Sequence, residues 1–294
     1  TDLVMENGYP KDSNGGKNPC KGDGWEYIKN DPTNGDMLLL TGSNQTGGLF
    51  DFSTIGDGSA VKCNVFVGKP TAITGGVFDG KVINNSGILG GTFNGPVVNT
   101  TMGRIQNGTF NGAVENNKII ENGTFNGKVK NNNTINDGAF NGKVENTASG
   151  TINDGAFHKP VENHGTIEKG TFHDEVKNNH IINNGTFNGK VENNGTIEKG
   201  TFNGAVKNNN TINDGTFNGS VDNMASGTIE KGTFHGAVEN DGMIENGTFH
   251  DEVKNNGTIN DGAFNGKVEN NSVINSGTFH GPVDNTASGT IEKG

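Results

Sequence analysis

The sequence predicts an all-β chain: a single parallel β-helix (β-solenoid) of about fourteen coils, each 15 or 17 residues long, with an N-terminal β cap. Three observations carry this reading. Phenylalanine recurs at 78, 93, 110, 125, 140, 157, 172, 187, 202, 217, 234, 249, 264 and 279, always 15 or 17 residues apart. Each Phe brings the same neighbours: Gly two before, Val four after, Asn six after, and Ile ten after in the 15-residue copies. The density of Gly and Asn excludes helix, and Asn-Gly pairs supply the φ > 0 positions that tight turns need. Self-similarity at a fixed period marks a repeat architecture.

The copied unit comes first. Its consensus is G-T-F-N-G-K-V-E-N-N-G-T-I-E-K, as from Gly185 to Lys199. Phe, the following Gly, Val and Asn stand at even offsets, which predicts one strand that turns all four inward. Thr or Ala before Phe, and Lys or Glu around Val, then face outward. Asn-Gly is also a hairpin signal, so an array of hairpins competes. Hairpins alternate strand direction, however, and identical columns would not meet. In a solenoid Phe stacks on Phe, Val on Val and Asn on Asn. The inward Asn column predicts amides bonded from coil to coil, as in cross-β ladders. Four copies carry two extra residues, in Asn99–Ile105, Asn146–Ile152, Asn223–Ile229 and Asn285–Ile291. The insertion always falls at one corner, where a bulge leaves the register intact.

The ends differ from the repeats. Residues 1–68 do not repeat and hold Trp25, both Tyr and both Cys. They are expected to cap the solenoid, which occupies 69–294, because an uncovered first coil exposes a strand edge and a raw core. Gly24 to Gly42 reads as strand, turn, strand. Cys20 and Cys63 are a candidate disulfide in an exported chain; the competing reading is two packed thiols. The sequence stops at Gly294 in mid-copy. The natural protein is therefore expected to continue, and the bare end could self-associate end to end or by its edges.

Composition narrows the function. The formal net charge is −11 and the cations are scattered singly, so a nucleic-acid partner is disfavoured. No apolar run approaches the roughly 20 residues that span a bilayer, and no signal peptide opens the chain at Thr1. Every carboxylate belongs to a repeated column, which leaves no unique acid pair for catalysis. The nucleophile motif G-x-S-x-G and the calcium nonapeptide are absent. N-x-T triplets such as Asn122-Gly123-Thr124 follow from the N-G-T turns. His replaces Asn after Phe at 158, 173, 235, 250 and 280, with Asp174, Glu175, Asp251 and Glu252 nearby. Two His one coil apart suggest a metal site, but structural sites usually take four ligands, so drift at a solvent-facing turn is the preferred reading. No catalytic residue, metal site or cofactor is expected. Thr columns run before Phe and before Ile, ten residues apart and expected on different faces; regular outward Thr is a weak match to ice-binding solenoids.

The pattern G-T-F-N-G-x-V-x-N-N-G-T-I, from Gly76 to Gly294, resembles the repeats of Gly/Asn-rich bacterial cell-surface proteins and adhesins with β-helical stalks. The G-W-E-Y … L-L-L-T-G segment resembles the entry strand before such repeats in secreted proteins of gut-dwelling Firmicutes. The resemblance implies a non-enzymatic, exported, wall-associated stalk or scaffold with host or cell-wall glycans or proteins as partners. It names no binding residue. The alternatives are a carbohydrate-binding β-helix and an ice-binding protein.

Overall fold

The computed structural model describes residues 2–12, 20–42 and 48–294. The chain divides into two compact units: Thr1–Glu145 with Ser149–Thr151, and Asn146–Ala148 with Ile152–Gly294. Among the described residues there is no helix, and so none long and apolar enough to cross a membrane.

In the first unit, β1 (Met5–Glu6) and β2 (Tyr9–Pro10) form an antiparallel hairpin. Its turn is Asn7-Gly8, both at positive φ, the geometry that Asn-Gly adopts most readily. Next, β3 (Cys20–Gly22), β4 (Trp25–Asp31) and β5 (Gly35–Leu40) make an antiparallel meander. The strand–turn–strand expected between Gly24 and Gly42 is β4 and β5. Cys20, Trp25, Tyr27, Leu38 and Leu40 are all buried. From β5 onward the pairing changes sense. β5 is parallel to β7 (Asn64–Val67), with Leu38 beside Val65 and Leu40 beside Val67. β6 (Leu49–Asp51) is parallel to β8 (Ala72–Gly75), with Phe50 beside Ile73. Parallel stacking thus begins inside the non-repeating segment, and the meander covers its starting edge.

The repeats of both units form parallel β-solenoids. Each coil gives three short strands, for example Thr124–Phe125, Val129–Asn131 and Thr134–Ile135. In the first unit Phe110 lies beside Phe125, Val114 beside Val129, Asn116 beside Asn131 and Ile120 beside Ile135. In the second, Phe187 lies beside Phe202, Val191 beside Val206, Asn193 beside Asn208 and Ile197 beside Ile212. In each unit the Val-x-Asn strands build one sheet. The Phe and Ile strands build another, and in four coils they fuse into seven-residue strands, such as Thr196–Phe202.

Two expectations are corrected here. Phe and Asn do not share one strand, because the chain bends at the Asn-Gly between Phe and Val and passes to the other sheet. The even offsets nevertheless keep Phe, Val and Asn inward, since each strand ends or begins on an inward residue. The two Thr columns, expected on different faces, instead belong to one sheet: Thr211 and Thr216 lie on the same strand, beside Thr196 and Thr201 of the coil before.

Core packing explains the invariant residues. The Phe, Val and Ile columns at the fixed repeat offsets are essentially inaccessible up to Ile274. In the first unit Phe rings from Phe78 to Phe140 stack with centroids 4.9–5.0 Å apart. From Phe157 to Phe279 in the second, the spacing is 4.7–4.9 Å. The strand spacing of about 4.8 Å imposes that distance. The Gly two before Phe is needed because the ring lies over it. A Cβ on Gly215 would sit 2.7 Å from Cζ of Phe217 and 3.0 Å from Cε2 of Phe202.

Candidate functional site

A buried Asn column sets the register on which every outward column depends. In the first unit the side chain of Asn84 donates to Asn99, Asn99 to Asn116 and Asn116 to Asn131, each at 2.8 Å. In the second unit the same Nδ2-to-Oδ1 bond runs from Asn146 to Asn285 at 2.7–2.9 Å. Up to Asn270 these residues are fully buried. Each Nδ2 also reaches backbone carbonyls: that of Asn193 contacts Gly195 O and Thr211 O, both at 2.9 Å. No buried side-chain N or O among the described residues lacks a partner. The long copies preserve this pattern. Asn208, in a 15-residue coil, donates to the carbonyl two residues on. Asn223, in a 17-residue coil, donates to Gly227 O, four residues on.

Further Asn ladders lie outside and run the opposite way, each Nδ2 donating to the coil before. Asn111 donates to Asn94, Asn126 to Asn111 and Asn141 to Asn126, at 2.7–2.8 Å. In the second unit Asn203 donates to Asn188 and Asn218 to Asn203. Several such runs begin on a carboxylate that accepts from the first Asn. Asp79 accepts from Asn94, Asp241 from Asn256, Glu121 from Asn136, Glu168 from Asn183 and Glu245 from Asn260.

Histidine serves the same purpose. Nδ1 of His173 lies 3.2 Å from Nδ2 of Asn188, and Nδ1 of His250 lies 3.3 Å from Nδ2 of Asn265. The amide has only hydrogens to offer there, so Nδ1 accepts and the ring proton sits on Nε2. His158 stacks on His173 and His235 on His250, with centroids 4.7 Å apart and planes within 8°. Imidazole lone pairs lie in the ring plane. Two parallel rings therefore do not aim at one ion, and no group of three metal-ligating side chains occurs among the described residues. His280 extends the same column position.

The outer face of the Val-x-Asn sheet carries alternating charge. In the second unit Glu162, Lys177, Glu192, Lys207, Asp222, Glu239, Lys254 and Glu269 lie in register. The alternation breaks where Asp222 meets Glu239. Partial burial, then Glu239 and Asp241, raise the Asp222 carboxyl above its ordinary range, while Lys207 opposes them. Lys254–Glu239 and Lys267–Glu252 pair at 3.4 and 3.1 Å, half-exposed on both sides. Such exposed pairs contribute little to stability, because solvent screens them.

Two shallow grooves open on this face, one in each unit. The first, about 320 Å³, has Val97 and Val114 as floor between Pro96, Ala113, Glu115 and Lys130. The second, about 390 Å³, has Val221 and Val238 as floor between Ser220, Ala237, Asp222 and Glu239. Both occupy the same strip of the coil. They open where the residue before Val is small rather than Lys, so they are dents in a uniform surface. Neither contains an aromatic side chain for stacking on a sugar ring. Tyr9 is the one aromatic among the exposed large hydrophobic residues described.

The two cysteines lie in the non-repeating segment as buried thiols. Cys20 is on β3 opposite Tyr27, and Cys63 immediately precedes β7. In the sheet order β3-β4-β5-β7, β4 and β5 stand between β3 and β7. Burial pushes the Cys63 thiol up to about 12. Burial also raises the Tyr27 hydroxyl, which donates to Asp36 at 3.1 Å.

No family model, curated protein or solved structure matches this chain. The carboxylate and His starts of several outer ladders escaped sequence reasoning, although their signal was present: His, Asp or Glu stands one coil before Asn in those columns.

Proposed function

We propose that the chain is a non-enzymatic structural or adhesive stalk module of a bacterial surface protein, displayed outside the cell. One observation carries this reading: along the repeats, the outward side chains recur in columns from coil to coil. Ladders, ion pairs and both grooves recur at fixed coil positions, so the surface offers many equivalent places and no single reaction centre. Repetition suits a spacer or a multivalent surface, and binding sites added at fixed intervals multiply avidity without any new contact. Glycans or proteins of a host or a cell wall are the partners expected for such a module. Two measurements test the proposal. Protease treatment of intact source cells should release repeat peptides, and any glycan binding on an array should be weak per site and rise with the number of coils. Strong binding of a single glycan that survives loss of residues 1–68 overturns the passive-stalk reading in favour of a carbohydrate-binding β-helix. The ice-binding alternative rests on the two Thr columns sharing one sheet. Ice-recrystallisation inhibition would favour it, and its absence excludes it.

A further inference from the structure

The chain contains many Asn-Gly pairs, and two of the positions they occupy in the repeat differ in what holds the Gly N–H. In the first class the Asn follows Phe. Gly112, Gly127, Gly204 and Gly219 donate their N–H to the Phe carbonyl of the preceding coil, at 3.2–3.3 Å. Their Asn partners, 111, 126, 203 and 218, are tied by the outer ladder. In the second class the Asn stands three before Phe, outside any strand; Asn246-Gly247 holds the same position but lies within the strand Met243–Phe249 and is set apart. Gly108, Gly123 and Gly185 turn their N–H onto the side-chain oxygen of the residue before, Asn107, Asn122 and Asn184, at 2.8, 2.7 and 2.9 Å. All three Asn side chains are exposed. These glycine nitrogens give no hydrogen bond to a neighbouring coil.

We infer that Asn107, Asn122 and Asn184 are sites of spontaneous deamidation, and that the ladder protects the Asn-Gly pairs after Phe. The reacting atoms of the second class already adjoin. Cγ is one C=O bond, about 1.2 Å, from the oxygen that the Gly N–H touches. Gly108 N gives its proton to water and attacks Asn107 Cγ. An N–Cγ bond forms, the Cγ–Nδ2 bond breaks, and Nδ2 leaves as ammonia. Water then opens the cyclic imide at either carbonyl, leaving a carboxylate on the ordinary or the β-linked backbone. Closing the ring costs no inter-coil hydrogen bond here. In the first class the same step would remove the bond to Phe O and pull the amide from its ladder.

The coil also accommodates the product. At the same coil position Asp137, Asp154 and Asp261 accept the following Gly N–H at 2.7, 2.8 and 2.9 Å, reproducing the bond that Asn makes. Each conversion adds a negative charge to a chain that already carries −11.

The test is peptide mass analysis with fragmentation after incubation of the full chain at mildly alkaline pH, with a parallel sample unfolded in urea. In folded protein, acid should accumulate at 107, 122 and 184 at least about tenfold faster than at 111, 126, 203 and 218, since proximity and orientation set the rate. In urea the two classes should react alike. Equal rates in folded protein overturn the inference. So does a difference that persists in urea, or no conversion at 107, 122 and 184 while the unfolded chain reacts.

Discussion

At the scale of single residues, the buried Asn carries the architecture. Asn193 accepts from Asn178, donates to Asn208 and reaches two backbone carbonyls, all away from water. Asn193→Ala leaves buried donors and acceptors unmatched on both neighbouring coils. It should lower unfolding free energy by on the order of 1–3 kcal/mol, read from urea denaturation; an unchanged midpoint would mean the ladder contributes nothing. Cys63 makes a second prediction, in the cap. Its folded value of about 12 exceeds the roughly 8.5 of an unfolded thiol. Folding therefore favours the neutral form. The stabilisation is complete below the unfolded value and is lost as pH rises toward the folded one, at up to about 1.4 kcal/mol per pH unit. Trp25 fluorescence in urea titrations at successive pH values should show the cap weakening above about pH 9. Cys63→Val should flatten that slope, and what remains reports Tyr27. An equal slope in the variant would remove Cys63 from the explanation.

At the scale of the coil, the inserted residues are an adjustable corner. Gly227 N–H donates to Met224 O, Ser226 Oγ donates to Asn209 O, and the corner hands Gly227 O to Asn223. The short coils deliver an equivalent carbonyl two residues after Asn. Deleting Met224 and Ala225 should therefore keep the far-ultraviolet β signal and shift stability by less than about 1 kcal/mol. A large loss would show that the longer corner is required. Much of the coil was legible from sequence, because Phe, Val, Asn and Ile repeat at fixed offsets and stacking forces identical columns together. The bend between Phe and Val was not, since alternation of period two reads the same through a corner when both flanking strands face inward. The switch from antiparallel to parallel pairing at β5 was equally hidden, because nothing in L-L-L-T distinguishes an antiparallel neighbour from a parallel one. The candidate site was less legible still. His173 and His250 read as metal ligands or drift until their acceptor role beside Asn188 and Asn265 was placed in three dimensions.

At the scale of each unit, the repeated columns make a surface whose chemistry is periodic, and the proposed stalk function follows from that periodicity. Its central claim is that every coil lies parallel and in register on the one before. Electron-spin distance measurement in the second unit tests this most directly. Spin labels are placed on outward positions of one column in a chain whose native cysteines are replaced by Val. Glu192→Cys with Lys254→Cys spans four coil steps, and Lys177→Cys with Glu269→Cys spans six. At about 4.8 Å per step the backbone separations should be near 19 and 29 Å, and the label distances should differ by about 10 Å. Distances that fail to grow in proportion to the number of coils would contradict parallel in-register stacking, and with it the stalk.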